Sequence, residues 1–134
     1  MKNAVDVRPR KWSNIIVLFD DGIYSVIWGN YADSKNRHLG VRWNGDTETS
    51  AGFPSTRGKP QWHLETRFLH KPILTELTTK LAKEYDEGNI SMQVYVKRLN
   101  YILKAISELT LINLDINKDV RHETRSLGEV TKAS

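Results

Sequence analysis

The pattern of apolar and polar positions over residues 14–30 predicts two β-strands joined by a tight turn. Asp21-Gly22 favours the two positive-φ positions of a type I′ turn, which is a common connection in short hairpins. Pairing about this turn places six side chains on one face of the ribbon: Phe19 opposite Tyr24, Val17 opposite Val26, and Ile15 opposite Trp28. A lone hairpin is barely stable in water, so we expect the later helices to cover this face.

Two further strands are predicted by alternation over residues 39–44 and 62–65. The apolar positions are Leu39, Val41 and Trp43 on the third strand, and Trp62 and Leu64 on the fourth. Between these strands, residues 45–61 form a 17-residue connection that holds three glycines and two prolines. A connection of this length in a compact domain is typically functional or disordered.

Helical spacing of apolar residues follows over residues 66–110. Pro72 suits the first turn of one helix, and Gly88 suits its end. A second helix follows after a short link, so the two helices should form a hairpin. The second helix is apolar over more than one stripe, and the surplus could pack against the first helix or against a second protomer. A homodimer is therefore one hypothesis, because two-fold dimers are the commonest assembly.

The two ends of the chain are more polar. Residues 1–12 predict a loose arm that first touches the core at Trp12. The alternation of Ile112, Leu114 and Ile116 favours a strand or an extended arm, although a continued helix stays open. The chain is thus interpreted as one α+β domain with four parts: a loose arm (1–12), a four-stranded antiparallel meander (13–65), a two-helix hairpin on one face of the sheet (66–110) and an extended polar tail (111–134).

Composition limits the chemistry of the chain. The 134 residues include no cysteine, which excludes disulfides, zinc–thiolate sites and thiol catalysis. No apolar run approaches the roughly 20 residues of a membrane-spanning helix, and the N-terminus lacks the apolar centre of a secretory signal. We therefore expect a cytoplasmic protein with no membrane partner. The sequence indicates no cofactor.

The net charge of +4 raises the question of nucleic acid. The excess is thin and lies mainly near Arg8, Arg10 and Lys11. Elsewhere basic and acidic residues are mixed, whereas a nucleic-acid-binding protein usually gathers its charge into a stripe. An ordinary solvated surface is the favoured interpretation.

The candidates for catalysis are few. His63 and Glu65 share one strand face, and Arg42 on the neighbouring strand could join them as an acid–base or metal-binding group. A polar, outward-facing side of the sheet explains the same residues and is favoured. The other histidines, His38, His70 and His122, are expected to be exposed. The chain has neither a G-x-S-x-G nucleophile elbow nor a Gly-rich phosphate loop, so nothing in it indicates an enzyme.

The aromatic residues suggest a binding surface. Trp28 and Trp43 are expected in the core, whereas Trp12 and Trp62 lie at the ends of elements and should be partly exposed. An aromatic and cationic rim around the long connection would consist of Phe53, Arg57, Lys59 and Trp62. Such a rim could receive a peptide, a single nucleic-acid strand or an anionic small molecule. The favoured alternative is that Phe53 and Trp62 only hold the connection against the sheet.

Several short motifs carry a resemblance to a known group. They are Trp28-Gly29-Asn30-Tyr31, Leu39-Gly40-Val41-Arg42-Trp43-Asn44-Gly45, Gly52-Phe53-Pro54, Pro60-Gln61-Trp62 and Phe68-Leu69. Over residues 14–82 the chain resembles small uncharacterised bacterial proteins encoded by mobile integron gene cassettes. The resemblance implies a bacterial, cytoplasmic protein and assigns no catalytic residue. The long polar tail departs from the group.

Three hypotheses for the function follow. The first is a non-enzymatic protein-interaction module that self-associates and contacts a protein partner through its sheet edge or residues 45–62. The second is single-stranded nucleic-acid binding by a basic and aromatic set: Arg8, Arg10, Lys11, Arg57 and Lys59 with Trp12 and Trp62. The third is a small-molecule or enzymatic pocket near Arg42, His63 and Glu65.

Overall fold

The protein is an α+β fold in which a four-stranded antiparallel sheet carries two helices on one face. The structure is a computed structural model that describes the backbone of residues 2–46 and 50–133 and the side chains of residues 2–46 and 50–116. The elements are β1 (Trp12–Asp20), β2 (Tyr24–Tyr31), β3 (Arg37–Trp43), β4 (Ser55–Thr56), β5 (Lys59–Pro60), β6 (His63–Leu64), α1 (His70–Asp86) and α2 (Met92–Ala133). The sheet order β1-β2-β3-β6 confirms the predicted α+β class and meander.

The hairpin between β1 and β2 turns one residue later than the sequence predicts. The Asp21 N–H donates to the Tyr24 carbonyl, so Gly22 and Ile23 form the centre of the turn. The Asp21 carboxylate accepts the N–H groups of Ile23 and Tyr24 at 2.9 and 2.8 Å and stabilises this arrangement. The predicted pairing was therefore wrong, and Phe19 lies opposite Val26.

Two irregularities in β1 change which of its side chains face the helices. They lie between Ser13 and Ile16 and between Val17 and Phe19. A bulge places an extra residue in one strand and alters the alternation of side chains beyond it. Instead of the predicted set, the helix-facing side chains of the hairpin are Ile16, Leu18, Phe19, Val26 and Trp28. The predicted members Ile15 and Val17 pack on the opposite face, and Tyr24 is exposed.

The helix-facing core forms around Trp28, which is fully buried as predicted. Neighbouring Leu39 on β3 packs with it against both helices. The helix residues of this core recur at intervals of three and four, as one face of a helix requires. They are Leu74, Leu77 and Leu81 on α1, and Ile102, Ala105, Leu109 and Ile112 on α2. Trp43, also predicted in the core, is half-buried.

A second core covers the other face of the sheet, where the sequence predicts a polar surface. It consists of Ala4, Val7, Trp12, Ile27 and Trp62. Residues Ala4–Asp6 form a short 3₁₀ turn beneath the sheet. The Trp62 indole N–H donates to the Val7 carbonyl at 2.9 Å, which fastens this segment in place. The predictions of a loose arm over residues 1–12 and of partly exposed Trp12 and Trp62 were wrong for the residues described.

The predicted long connection is largely structured. Phe53 forms an isolated bridge with Trp43, each N–H donating to the other's carbonyl at 2.8 Å. At Gly52 the φ angle is +70°, and an added Cβ would lie 2.1 Å from the Trp43 carbonyl oxygen, so glycine is required there. Strands β4 and β5 then form a small hairpin. The Phe53 ring is 69% exposed, so it does not hold the segment against the sheet. Residues 47–49 lie outside the described part.

The tail is helical. Helix α2 continues from Met92 to Ala133, so the predicted strand or extended arm over residues 111–133 was wrong. Ile112 is buried because it lies three residues after Leu109 on the core-facing side of the helix. The alternation of apolar residues that suggested a strand is therefore incidental. Ser134 lies outside the described residues.

Replacing Trp62 tests the second core. Trp62→Ala is expected to lower the free energy of unfolding by about 3–5 kcal/mol, because a large buried ring is lost. Phe53→Ala is the matched aromatic control and should change it by less than about 0.5 kcal/mol, since its ring is exposed. Urea denaturation measures both. Two small and similar losses would contradict a structural role for Trp62.

Candidate functional site

The residues of the predicted acid–base group do not come together. Arg42 is buried on the face opposite the helices, where its guanidinium lies 5.8 Å from the centre of the Trp62 ring. His63 is exposed and pairs with Val41, whose side chain packs toward the helices. Glu65 is half-buried, and its carboxylate accepts the N–H of Thr66. Alternation along β3 thus separates Arg42 from His63.

Arg42 is a clamp for the segment that follows β3. Its Nε donates to the side chain of Asn44 at 3.1 Å, and its two terminal nitrogens donate to the carbonyls of Gln61, at 2.6 Å, and Ala51. Burial lowers the pKa of Arg42. Three acceptors nevertheless satisfy the guanidinium, as a buried cation requires. The group ties Ala51 and Gln61 to the sheet, and its burial keeps it from a ligand in solvent.

A cluster of two histidines and an arginine lies where β3 meets the start of α1. The backbone N–H of Leu39 donates to His70 Nε2 at 3.2 Å, and Arg67 donates to His38 Nε2 at 2.6 Å. His38 Nδ1 lies 3.2 Å from the Asn36 carbonyl, to which it donates. Each imidazole accepts at Nε2, so both rings are neutral.

The electrostatics of this cluster favour neutral imidazoles. Burial, followed by the Arg67 and His38 charges, lowers the pKa of His70 to about 4. Burial and then Arg67 also lower the pKa of His38. The prediction that His70 is exposed was wrong. Its spacing of four residues before buried Leu74 is the signal that could have placed it on the core-facing side of α1. His122 lies outside the described side chains.

A groove brings together residues that lie far apart in sequence. Its volume is 520 Å³, and its lining includes Arg10, Lys11, Trp12, Tyr31, Thr56 and Trp62; we call it the basic groove. Trp12 and Trp62 are buried and form its base. Lys59 pairs with Thr56 across β4 and β5, so its side chain shares the groove-lining face of that hairpin. Arg57 lies at the turn of the hairpin, and both cations are exposed.

The predicted aromatic and cationic rim is therefore assembled only in part. Trp62 lies at the base of the basic groove, and Lys59 and Arg57 lie on the hairpin that forms its wall. Phe53 is exposed and does not line the groove. Sequence reasoning missed Tyr31, a half-buried ring whose centre lies 5.3 Å from that of Trp12. Its position at the end of β2, paired with Trp12, becomes evident only from the strand register.

The surface of α2 that points away from the sheet is apolar. Five exposed side chains define this outer face: Met92, Val96, Leu103, Leu111 and Leu114. Leu99 and Ile106 lie beside them and are half-buried, so the stripe runs at intervals of three and four from Met92 to Ile106 and resumes at Leu111 and Leu114. Leu111 and Leu114 are 63% and 59% exposed. This stripe of apolar side chains on α2 has no cover among the described residues.

The edges of the sheet offer little backbone for the predicted interaction with a protein partner. β1 and β6 are the edge strands of the sheet, and β6 has only two residues. A groove of 320 Å³ separates β1 from α2, and its lining includes Leu18, Val94 and Tyr101. The helix thus flanks the longer edge strand and leaves less of it open to another chain.

The fold and these surfaces define the protein as an α+β domain with an apolar helix face and a basic groove. Among residues 2–46 and 50–116, no group of three His, Asp or Glu side chains could hold a metal ion. Within the part of the chain that is described, no helix is long and apolar enough to cross a membrane. Comparisons with models of known protein families, with curated proteins and with solved structures found no match.

Acid should destabilise the protein through His70. The unfolded imidazole has a pKa near 6.5, against about 4 in the fold, so between these values the unfolded chain binds more protons. The free energy of unfolding should therefore fall as pH falls through this window, by up to roughly 3 kcal/mol.

Urea denaturation across this pH window measures the effect. His70→Gln cannot titrate but can still accept the Leu39 N–H, so its unfolding free energy should depend less on pH. The exposed control His63→Gln should keep the full dependence. An unchanged pH profile in His70→Gln would exclude His70 as the source.

Proposed function

We propose that this protein is a non-enzymatic interaction module that self-associates as a homodimer through the outer face of α2. The observation that carries this proposal is the exposure of large apolar side chains along that face, above all Leu111 and Leu114. Covering apolar surface stabilises an assembly by roughly 25 cal/mol per Å². A run of such residues on one helix therefore provides a driving force for association.

The length of α2 supports this proposal. The helix has 42 residues and is about 63 Å long, whereas α1 has 17 residues and is about 26 Å long. Ile112 is its last buried residue among those whose side chains are described. Leu114 and Ile116 lie beyond it and are exposed. Among the described side chains, the intramolecular core thus ends at Ile112 while exposed apolar residues continue to Ile116, and a second chain would cover them.

The charges on α2 favour a second copy of this chain as the partner, in antiparallel orientation. Lys97 and Lys104 lie in the first half of the helix and Asp115 in the second. These three side chains have no ion-pair partner among the described residues. In a two-fold pair centred near Ile106, Lys97 of each chain would lie opposite Asp115 of the other. Residues 97 and 115 are five turns apart, so they lie on the same flank of the helix.

The setting is part of the same proposal. The resemblance to proteins of integron gene cassettes implies a bacterial accessory protein of the cytoplasm. A sequence without cysteine fits a reducing compartment. The third hypothesis, a pocket near Arg42, His63 and Glu65, is not supported as a group, because His63 lines the basic groove whereas Arg42 and Glu65 do not.

Charged substitutions on the outer face of α2 test the dimer. The wild-type chain is expected to sediment as a dimer at micromolar concentration. Leu103→Glu combined with Leu111→Glu should shift it to a monomer, because the carboxylates would be desolvated in the interface. Ile23→Glu, at the exposed turn between β1 and β2, is the matched control and should leave the dimer intact. A wild-type monomer, or equal effects of all these changes, would refute the proposal.

Exchanging charges tests the antiparallel orientation. Lys97→Asp or Asp115→Lys alone should weaken the dimer several-fold, because each places like charges opposite one another. The double variant should recover most of the lost affinity. Concentration-dependent sedimentation measures the three dissociation constants. If the losses of the two single variants simply add in the double variant, Lys97 and Asp115 are not paired across the dimer. The charged substitutions at Leu103 and Leu111 test the apolar contact separately.

A further inference from the structure

We propose that the basic groove binds single-stranded nucleic acid, with cations on its two walls contacting the phosphates. This function is distinct from self-association and uses different residues. It depends on two segments of the chain that contain basic residues and no acidic ones, a pattern that the charge balance of longer stretches hides. Residues 7–19 contain three cations and no carboxylate, and residues 50–64 contain two cations and no carboxylate. These five residues are Arg8, Arg10, Lys11, Arg57 and Lys59.

The rest of the chain has no excess of positive charge. With these five set aside, fifteen of the twenty basic residues remain against all sixteen acidic residues. The fold places the two carboxylate-free segments around one concavity: Arg10 and Lys11 line it from the N-terminal side, and Thr56 lines it from the β4–β5 hairpin. The net positive charge of the sequence therefore comes from the two segments that border this groove, which is the pattern expected of a polyanion-binding protein.

The cations of the groove are available to a ligand. Lys11, Arg57 and Lys59 are exposed, and no ion pair within the described residues involves them. Arg10 is also exposed. Arg8 does not line the groove but lies two residues before Arg10 in the chain, and its Nε donates to the Val5 carbonyl at 3.2 Å. These groups contrast with buried Arg42, each of whose three nitrogens donates inside the fold.

The shape of the groove favours a single strand. Its volume of 520 Å³ lies within the range of sites that bury a small ligand, which is enough for one base with its phosphate. A duplex is read by an element that enters its major groove, about 12 Å wide, and a concavity does not do so. Single-strand sites combine a basic channel with an aromatic ring on which a base stacks. Tyr31 is that ring, because it is half-buried, whereas Trp12 and Trp62 expose almost no surface.

Fluorescence anisotropy with a labelled twelve-nucleotide oligothymidylate tests the assignment on the full chain. Binding is expected at 50 mM salt. With three to five phosphate contacts, affinity should fall roughly 20- to 130-fold between 50 and 200 mM salt. The absence of binding at 50 mM salt would overturn the proposal. A twelve-base-pair duplex should bind more weakly than the single strand, and equal or tighter duplex binding would also overturn it.

Charge reversals locate the site. Arg10→Glu with Lys11→Glu, and separately Lys59→Glu, should each weaken binding at least tenfold. Lys35→Glu, an exposed change outside the groove, should reduce it only slightly. All these residues are exposed, so thermal unfolding should be nearly unchanged. Equal losses in the groove variants and in Lys35→Glu would indicate nonspecific attraction and refute the site.

Two further measurements distinguish this proposal from its alternatives. Tyr31→Leu should weaken oligonucleotide binding and Tyr31→Phe should preserve it, since stacking needs the ring and not the hydroxyl.

Vesicles containing phosphatidylserine are the competing ligand. Capture by vesicles without oligonucleotide binding would assign the groove to a membrane surface instead. The Leu103→Glu, Leu111→Glu variant should still bind the oligonucleotide, so failure of the dimer leaves this test intact.

Discussion

Strand β2 is covered on both faces, and the rest of the structure depends on this constraint. Residues 25–29 are all buried, with Trp28 pointing toward the helices and Ile27 pointing the other way. A sheet with one solvent-exposed face needs other elements packed on its opposite face only. A sheet that is apolar on both faces needs elements packed on each. The hairpin of α1 and α2 supplies one cover. The N-terminal segment, together with Trp62, supplies the other.

This double cover determines which surfaces remain for function. The helices must place their apolar sides on Trp28, which leaves the outer face of α2 in solvent. The N-terminal segment must cross beneath the sheet to reach Ile27, and this path brings Arg10 and Lys11 beside the β4–β5 hairpin. The outer face of α2 therefore belongs to the helices on one side of the sheet, and the basic groove belongs to the N-terminal segment and Trp62 on the other. Neither surface requires the sheet itself to be open.

Much of the fold could be predicted from the sequence, because its strongest signals are local. Alternation identified the strands, and spacings of three and four identified both helices. The register could not be predicted, because it depends on how the Asp21 carboxylate bonds in the turn and on two irregularities in β1. The second core was missed because Ile27 alone gives no indication of which distant segment covers it.

The site was less predictable than the fold. The cations near Arg10 and those near Lys59 lie almost fifty residues apart, so a count along the chain dilutes both groups among mixed charges. Only the fold brings them to the same groove. The tail was misread for a related reason: Ile112, Leu114 and Ile116 fit a strand by alternation. Their helical state depends on Ile112 joining a core stripe that begins at Ile102.

Structural and candidate functional residues differ here in their burial. Arg42 and His70 are residue types that catalysis uses, yet both are buried: each nitrogen of the Arg42 guanidinium donates within the fold, and His70 accepts the Leu39 N–H while its Nδ1 has no partner among the described residues. Leu111 and Lys11 are ordinary residues, yet both are exposed, and no ion pair among the described residues involves Lys11. The exposed helix face and the basic groove are therefore the proposed binding surfaces, whereas the buried polar groups hold segments of the fold together.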